Sequence, residues 1–124
     1  MKKITLVLSL LVSASSFAEE VPKPVLEVIK VFQHSSYYLN DGVLSMTMTK
    51  PSVNEDIATS FFRGICDTLF VGKDWQPSLI KTVVIKNSSE DQKVVINGGG
   101  LECKKLGPMN MNESETYIKS LVKK

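Results

Sequence analysis

The sequence predicts an α+β fold: a small two-layer sandwich with an antiparallel sheet of about four strands, packed by a central helix and followed by a C-terminal helix. Three observations carry this. Residues 43–49 alternate, with Leu44, Met46 and Met48 on one face and Val43, Ser45, Thr47 and Thr49 on the other, the pattern of a half-buried strand. Apolar pairs recur every four residues at Ile57/Ala58, Phe61/Phe62, Ile65/Cys66 and Leu69/Phe70, which makes one wide helical stripe. Two Val/Ile-rich runs, 80–86 and 93–96, then flank a six-residue polar turn at 87–92, as a hairpin requires.

The first eighteen residues stand apart from that fold. Met1-Lys2-Lys3 precedes an apolar run over 4–12, and small residues stand at Ser16 and Ala18. Basic start, short apolar run and small cleavage-site residues are the parts of a secretory signal peptide. The run is about half of what a bilayer-spanning helix needs. Cleavage is expected between Ala18 and Glu19, which removes 18 of the 124 residues and leaves 106. No other stretch reaches transmembrane length, so no membrane span is expected in the mature chain. The expected location is periplasmic or secreted.

Processing also changes the charge. The full chain carries +2, from 15 basic and 13 acidic residues, but Lys2 and Lys3 leave with the leader, so the mature protein balances at 13 against 13. A neutral protein with one Arg lacks the clustered cations that displace counterions from nucleic acid, and no nucleic-acid partner is expected. Hydrophobic residues at 43% and charged residues at 23% exclude wholesale disorder.

Within the mature chain, residues 19–24 contain two prolines and read as a flexible lead-in, with a single α+β domain over 25–124. The apolar spacing at 25–32 fits a helical face about as well as a strand; the β-branched density and the polar Gln33-His34-Ser35-Ser36 that follows favour a strand. Asn40-Asp41-Gly42 is a turn signal, since Asn and Asp close local turns and Gly accepts positive φ. After the strand at 43–49, Ser52 and Glu55 have capping-box spacing and open the central helix. Its polar face carries Asp56, Ser60, Arg63 and Asp67, with an Arg63–Asp67 pair at i,i+4. Gly72 suits its end. Gly98-Gly99-Gly100 reads as a strand bulge or a close backbone approach, after which residues 101–103 resume the strand. From Asn112, early Glu113 and Glu115 and late Lys119, Lys123 and Lys124 complement a helix dipole, with Tyr117, Ile118, Leu121 and Val122 as the packing face.

Cys66 and Cys103 are the two cysteines, and an even pair in an exported chain predicts a disulfide. It would clamp the central helix to the segment beyond the last strand. No C-x-x-C spacing exists and one His cannot complete a tetrahedral N/S site, so neither a metal nor a cofactor is expected.

His34 beside Ser35 and Ser36 invites a hydrolase reading. A nucleophilic serine needs a base within hydrogen-bond reach and an orienting acid beyond it. Neighbours in an extended segment point to opposite sides, and no nucleophile-elbow motif is present. The triple glycine lacks both the dinucleotide and P-loop patterns. Aromatic residues that could contact a partner are Tyr37 and Tyr38, with His34, and Trp75, which reads first as a cap on the helix–sheet core and second as part of that patch. The expected function is non-catalytic binding of another envelope or secreted protein, of inhibitor or immunity type. The alternative is a small-ligand or envelope-component binding domain with a pocket between helix and sheet; an unrecognised hydrolase ranks third.

Overall fold

Asp41 and Gly42 both take positive φ, 56° and 83°, the two-residue turn whose twist matches a right-handed hairpin. They join β1 (His34–Asn40) to β2 (Val43–Met48) in a computed structural model that describes residues 19–71 and 75–124. The expected signal peptide and the expected helix stop at Gly72 lie outside the described residues. Leu39 faces Leu44 and Tyr37 faces Met46 across the hairpin. The first hairpin strand is therefore the polar 34–40 segment rather than residues 25–32.

Residues 25–32 belong instead to helix α1 (Lys23–Val31). Pro24 lies in its first turn, where the missing N–H costs nothing, and Val25 and Ile29, one turn apart, are fully buried. The strand preference of β-branched residues spans only about 1 kcal/mol. Burying two such side chains is worth about 1.5–3 kcal/mol each, so packing overrides propensity. Of the expected lead-in, the Glu19 N–H donates to the Leu39 carbonyl at 2.6 Å, Val21 is buried, and Lys23 and Pro24 already belong to α1.

The central helix, α2 (Glu55–Thr68), begins two residues later than a cap at Ser52 would place it. Asn54 Oδ1 accepts the Ile57 N–H at 2.9 Å. Phe61, Phe62, Ile65 and Cys66 are completely buried, as the four-residue recurrence requires. Arg63 donates to Ser114 Oγ at 3.0 Å, reaching across to the C-terminal helix.

Beyond α2, a short 3-10 turn (Pro77–Leu79) leads into β3 (Thr82–Lys86) and β4 (Lys93–Ile96). The sheet order is β1-β2-β3-β4. The outer pairs are antiparallel hairpins, but β2 and β3 run parallel, with Leu44 beside Val83 and Met46 beside Ile85. The sheet is mixed, not antiparallel throughout. Its 14-residue helix α2, about 21 Å long at 1.5 Å per residue, carries the chain back to the end from which β2 started. The next strand then repeats the direction of β2, as in any strand–helix–strand crossover. Helix α2 packs on β3 and β4, and α1 packs on α2. Leu39, Leu44, Met46, Val83, Ile85 and Ile96 form the sheet's buried row.

After β4 the chain does not resume a strand at 101–103. It forms the short helix α3 (Gly100–Lys104), because Glu102 Oε1 accepts the Gly99 N–H at 2.8 Å and closes the first turn. The last helix, α4 (Met111–Ser120), has a reciprocal cap: Asn110 Oδ1 accepts the Glu113 N–H at 2.8 Å, and Glu113 Oε1 accepts the Asn110 N–H at 3.0 Å. No helix among the described residues is long and apolar enough to cross a membrane.

Candidate binding surfaces

Cys66 and Cys103 are bonded, with their Cα atoms 4.9 Å apart and a sequence separation of 37. Both are fully buried. The bridge joins α2 to α3, directly after the glycine segment. Gly100 donates its N–H to the Ile80 carbonyl at 2.9 Å, and a Cβ on Gly99 or Gly100 would overlap the carbonyl oxygens of Ile80 or Pro77. The glycines permit a close backbone approach, the second of the two structural roles expected for them, and they seat α3 so that Cys103 reaches Cys66.

The four aromatic and histidine candidates separate. Trp75 is 8% exposed and its Nε1–H donates to Thr68 Oγ1 at 2.7 Å, so it caps the core. His34 and Tyr37 form an edge-to-face pair with ring centroids 5.6 Å apart. The His34 Nδ1–H donates to the Phe32 carbonyl at 2.9 Å, while Ser35 Oγ donates to the Thr47 carbonyl. Tyr38 lies on the opposite face of β1, with Lys86 Nζ 5.8 Å from its ring centroid. Tyr37 and Tyr38 are both well exposed. His34, Tyr37 and Tyr38 thus share the sheet's outer strand, and Trp75 does not join them.

A second surface was not anticipated from sequence. Val28, Val31, Phe32, Gly64, Thr68 and Val71 line an apolar groove between α1 and α2. The helices approach closely because Gly64 has no side chain: a Cβ there would stand 3.0 Å from Val28 Cγ1. Val31 is 78% exposed and Val71 is 66% exposed. On the other side of α2, Phe70, Leu106, Met109 and Met111 line a second groove. Exposed Asp67 borders both. The signal for this surface was present in residues 25–32. Val25 and Ile29 already fill one helical face, so Val28 and Val31 are more apolar residues than a single face can bury.

The concavities described here open between helices at the surface, not between helix and sheet. Among the described residues no group of three or more His, Cys, Asp or Glu side chains is placed to hold a metal ion. No protein-family model, curated protein or solved structure matches the chain.

Proposed function

We propose that this is an exported, non-catalytic protein that acts by binding another envelope or secreted protein, in the manner of an inhibitor or immunity protein. The observation that carries the reading is the apolar ledge around the end of α2, where Val31, Phe70, Val71 and Met111 stand exposed together with Asp67. Contiguous exposed apolar surface is costly in water and marks sites of protein association. Asp67 between two apolar grooves suits a partner segment whose Lys or Arg is flanked by apolar side chains, since charge pairs across an interface fix register and partner choice. The buried disulfide supports an oxidising compartment, and the basic-apolar-small pattern of residues 1–18 supports export to it.

The test uses the mature protein immobilised against envelope extracts, beside a Val31→Glu/Val71→Glu variant. One protein retained in stoichiometric amount by the wild type and lost with the variant, at unchanged circular dichroism, is the expected result. For that isolated pair, Asp67→Lys should weaken Kd by at least roughly tenfold. Retention profiles identical for wild type and variant would overturn the reading.

A further inference from the structure

Arg63 and Asp67 stand one turn apart on α2 and line the same groove, at the spacing where an Arg and an Asp ordinarily pair. They do not pair. Arg63 Nη2 donates instead to Ser114 Oγ at 3.0 Å, and the buried Ser114 hydroxyl donates in turn to the Met111 carbonyl at 3.0 Å. Asp56 and Glu115 line the cleft on the other side of Arg63. Among the described residues neither Arg63 nor Asp67 takes part in an ion pair. The half-buried guanidinium thus spends one donor on a neutral hydroxyl and keeps the rest of its fork for another acceptor.

Both charges open into the groove whose apolar wall is Phe70, Leu106, Met109 and Met111, a space of about 360 Å³. That volume lies at the small end of the range for small-molecule sites, and an apolar wall with a few fixed polar groups is their usual make-up. The helix ends sort charge in the same sense. Met111 and Ser114 belong to the N-terminal end of α4, where the helix dipole favours an anion. Asp67 stands in the last turn of α2, which carries no basic residue, and there the dipole favours a cation. The groove therefore suits a negative group beside Arg63, a positive group beside Asp67 and an apolar group against the wall.

We propose that this groove binds a free apolar α-amino acid of the leucine, methionine or phenylalanine class. Its carboxylate takes the Arg63 guanidinium, its ammonium takes Asp67, and its side chain lies against the apolar wall. A free amino acid fits for three reasons. It carries both charges on one carbon, as two groups one helical turn apart require, whereas a polypeptide separates its two termini by the whole chain. Arg63 and Asp67 sum to zero charge, so a ligand with a single charge would meet one partner and one repulsion. The two methionines are unbranched and adaptable, so the wall selects a class of side chain and not one residue. Hydrogen bonds between charged groups are the strong kind, and the ligand supplies through itself the bridge that Arg63 and Asp67 do not make directly. This site goes beyond the partner surface proposed above and does not rest on it.

The mature protein is titrated by calorimetry with L-leucine, L-methionine and L-phenylalanine. The expected result is saturable one-to-one binding of at least one of them, with the Met109 and Met111 methyl resonances shifting as the site fills. N-acetyl-leucine lacks the ammonium and leucinamide lacks the carboxylate; each should bind at least roughly tenfold more weakly than leucine, the loss of one charged hydrogen bond. Asp67→Asn, at an exposed position, should weaken leucine by a similar factor and leave N-acetyl-leucine unchanged. Arg63→Gln should weaken leucine and leave leucinamide unchanged; should it lose its fold with the Ser114 bond, Asp67→Asn decides alone. Absence of saturable binding by all three amino acids at millimolar concentration would overturn the proposal, as would affinities indifferent to the folded variants. Val31→Glu/Val71→Glu should leave the leucine titration intact, which separates this result from the fate of the proposed partner site.

Discussion

Thr68 Oγ1 accepts the Trp75 indole N–H at 2.7 Å and donates in turn to the Ile65 carbonyl at 2.6 Å, and both side chains are buried. The hydroxyl is the acceptor that lets an indole serve as a core cap, because a buried N–H without a partner is expensive. Thr68→Val keeps the shape and removes the acceptor. It should lower stability by about 1–3 kcal/mol, and Thr68→Ser by distinctly less. Trp75 is the only tryptophan, so its fluorescence reports urea unfolding of each variant directly. Coincident midpoints for Thr68→Val and wild type would show that the bond contributes nothing.

The Cys66–Cys103 bridge closes a 37-residue separation, for which the chain-entropy model gives about 4 kcal/mol. The paired Cys66→Ala/Cys103→Ala variant should therefore lose about 2–5 kcal/mol while keeping a native far-ultraviolet spectrum, since the core is extensive apart from the bridge. Intact mass of protein purified without reductant should show no alkylation before reduction and two adducts after it. Adducts on the unreduced protein would contradict the bond.

Gly98 and Gly100, two residues apart, should respond unequally to alanine. At Gly100 an added Cβ meets the backbone of Pro77, which cannot rotate away. Gly100→Ala should cost more than about 3 kcal/mol, at the upper end of overpacking effects, or prevent accumulation of folded protein. At Gly98 the nearest atom is Leu121 Cδ1, 3.0 Å away, the tip of a flexible side chain. Gly98→Ala should cost under about 1 kcal/mol. Thermal melts of the two variants decide it, and equal losses would mean the close approach has no energetic weight.

What the sequence revealed of this fold divides along physical lines. The central helix, the strands at 43–48 and 93–96, the disulfide and the terminal helix were legible because each has a local cause: periodicity, alternation, a cysteine pair, a charge gradient along a helix. The helix at 23–31 was not, since its helical face and its β-branched content give opposing signals of similar size, and contact with Gly64 and the core decides between them. Strand β1 was missed for the opposite reason. Its burial is confined to Leu39 and a partly covered His34, so it has too little apolar alternation to read, and pairing to β2 makes it a strand. The parallel β2–β3 pair depends on where a crossover helix returns the chain, which no residue encodes locally. Tyr37 and Tyr38 could be singled out as aromatics, but their place on the sheet's outer strand follows only from the turn geometry and the sheet order.

The turn between β3 and β4 offers a pH-dependent test. Asn87 is 1% exposed; its Nδ2 donates to the Pro51 carbonyl at 2.9 Å and to Asp91 Oδ1 at 2.7 Å, and Ser89 Oγ donates to the same oxygen at 2.8 Å. The Asn87 amide, and after it the Ser89 hydroxyl, stabilise the Asp91 carboxylate and hold its pKa below the ordinary aspartate range. A depressed folded pKa stabilises the protein at pH values above the unfolded aspartate pKa, and the benefit disappears as pH falls through the folded value. Carboxyl resonances followed by NMR should place the Asp91 midpoint below the ordinary aspartate range. Asn87→Ala should move it up toward the ordinary range and loosen the segment at Pro51 that leads into α2. Asp91→Asn should be less stable than wild type near neutral pH, with the difference shrinking as the solution is acidified through the folded Asp91 value. A gap that stays constant across that range would mean the carboxylate's hydrogen bonds add no stability.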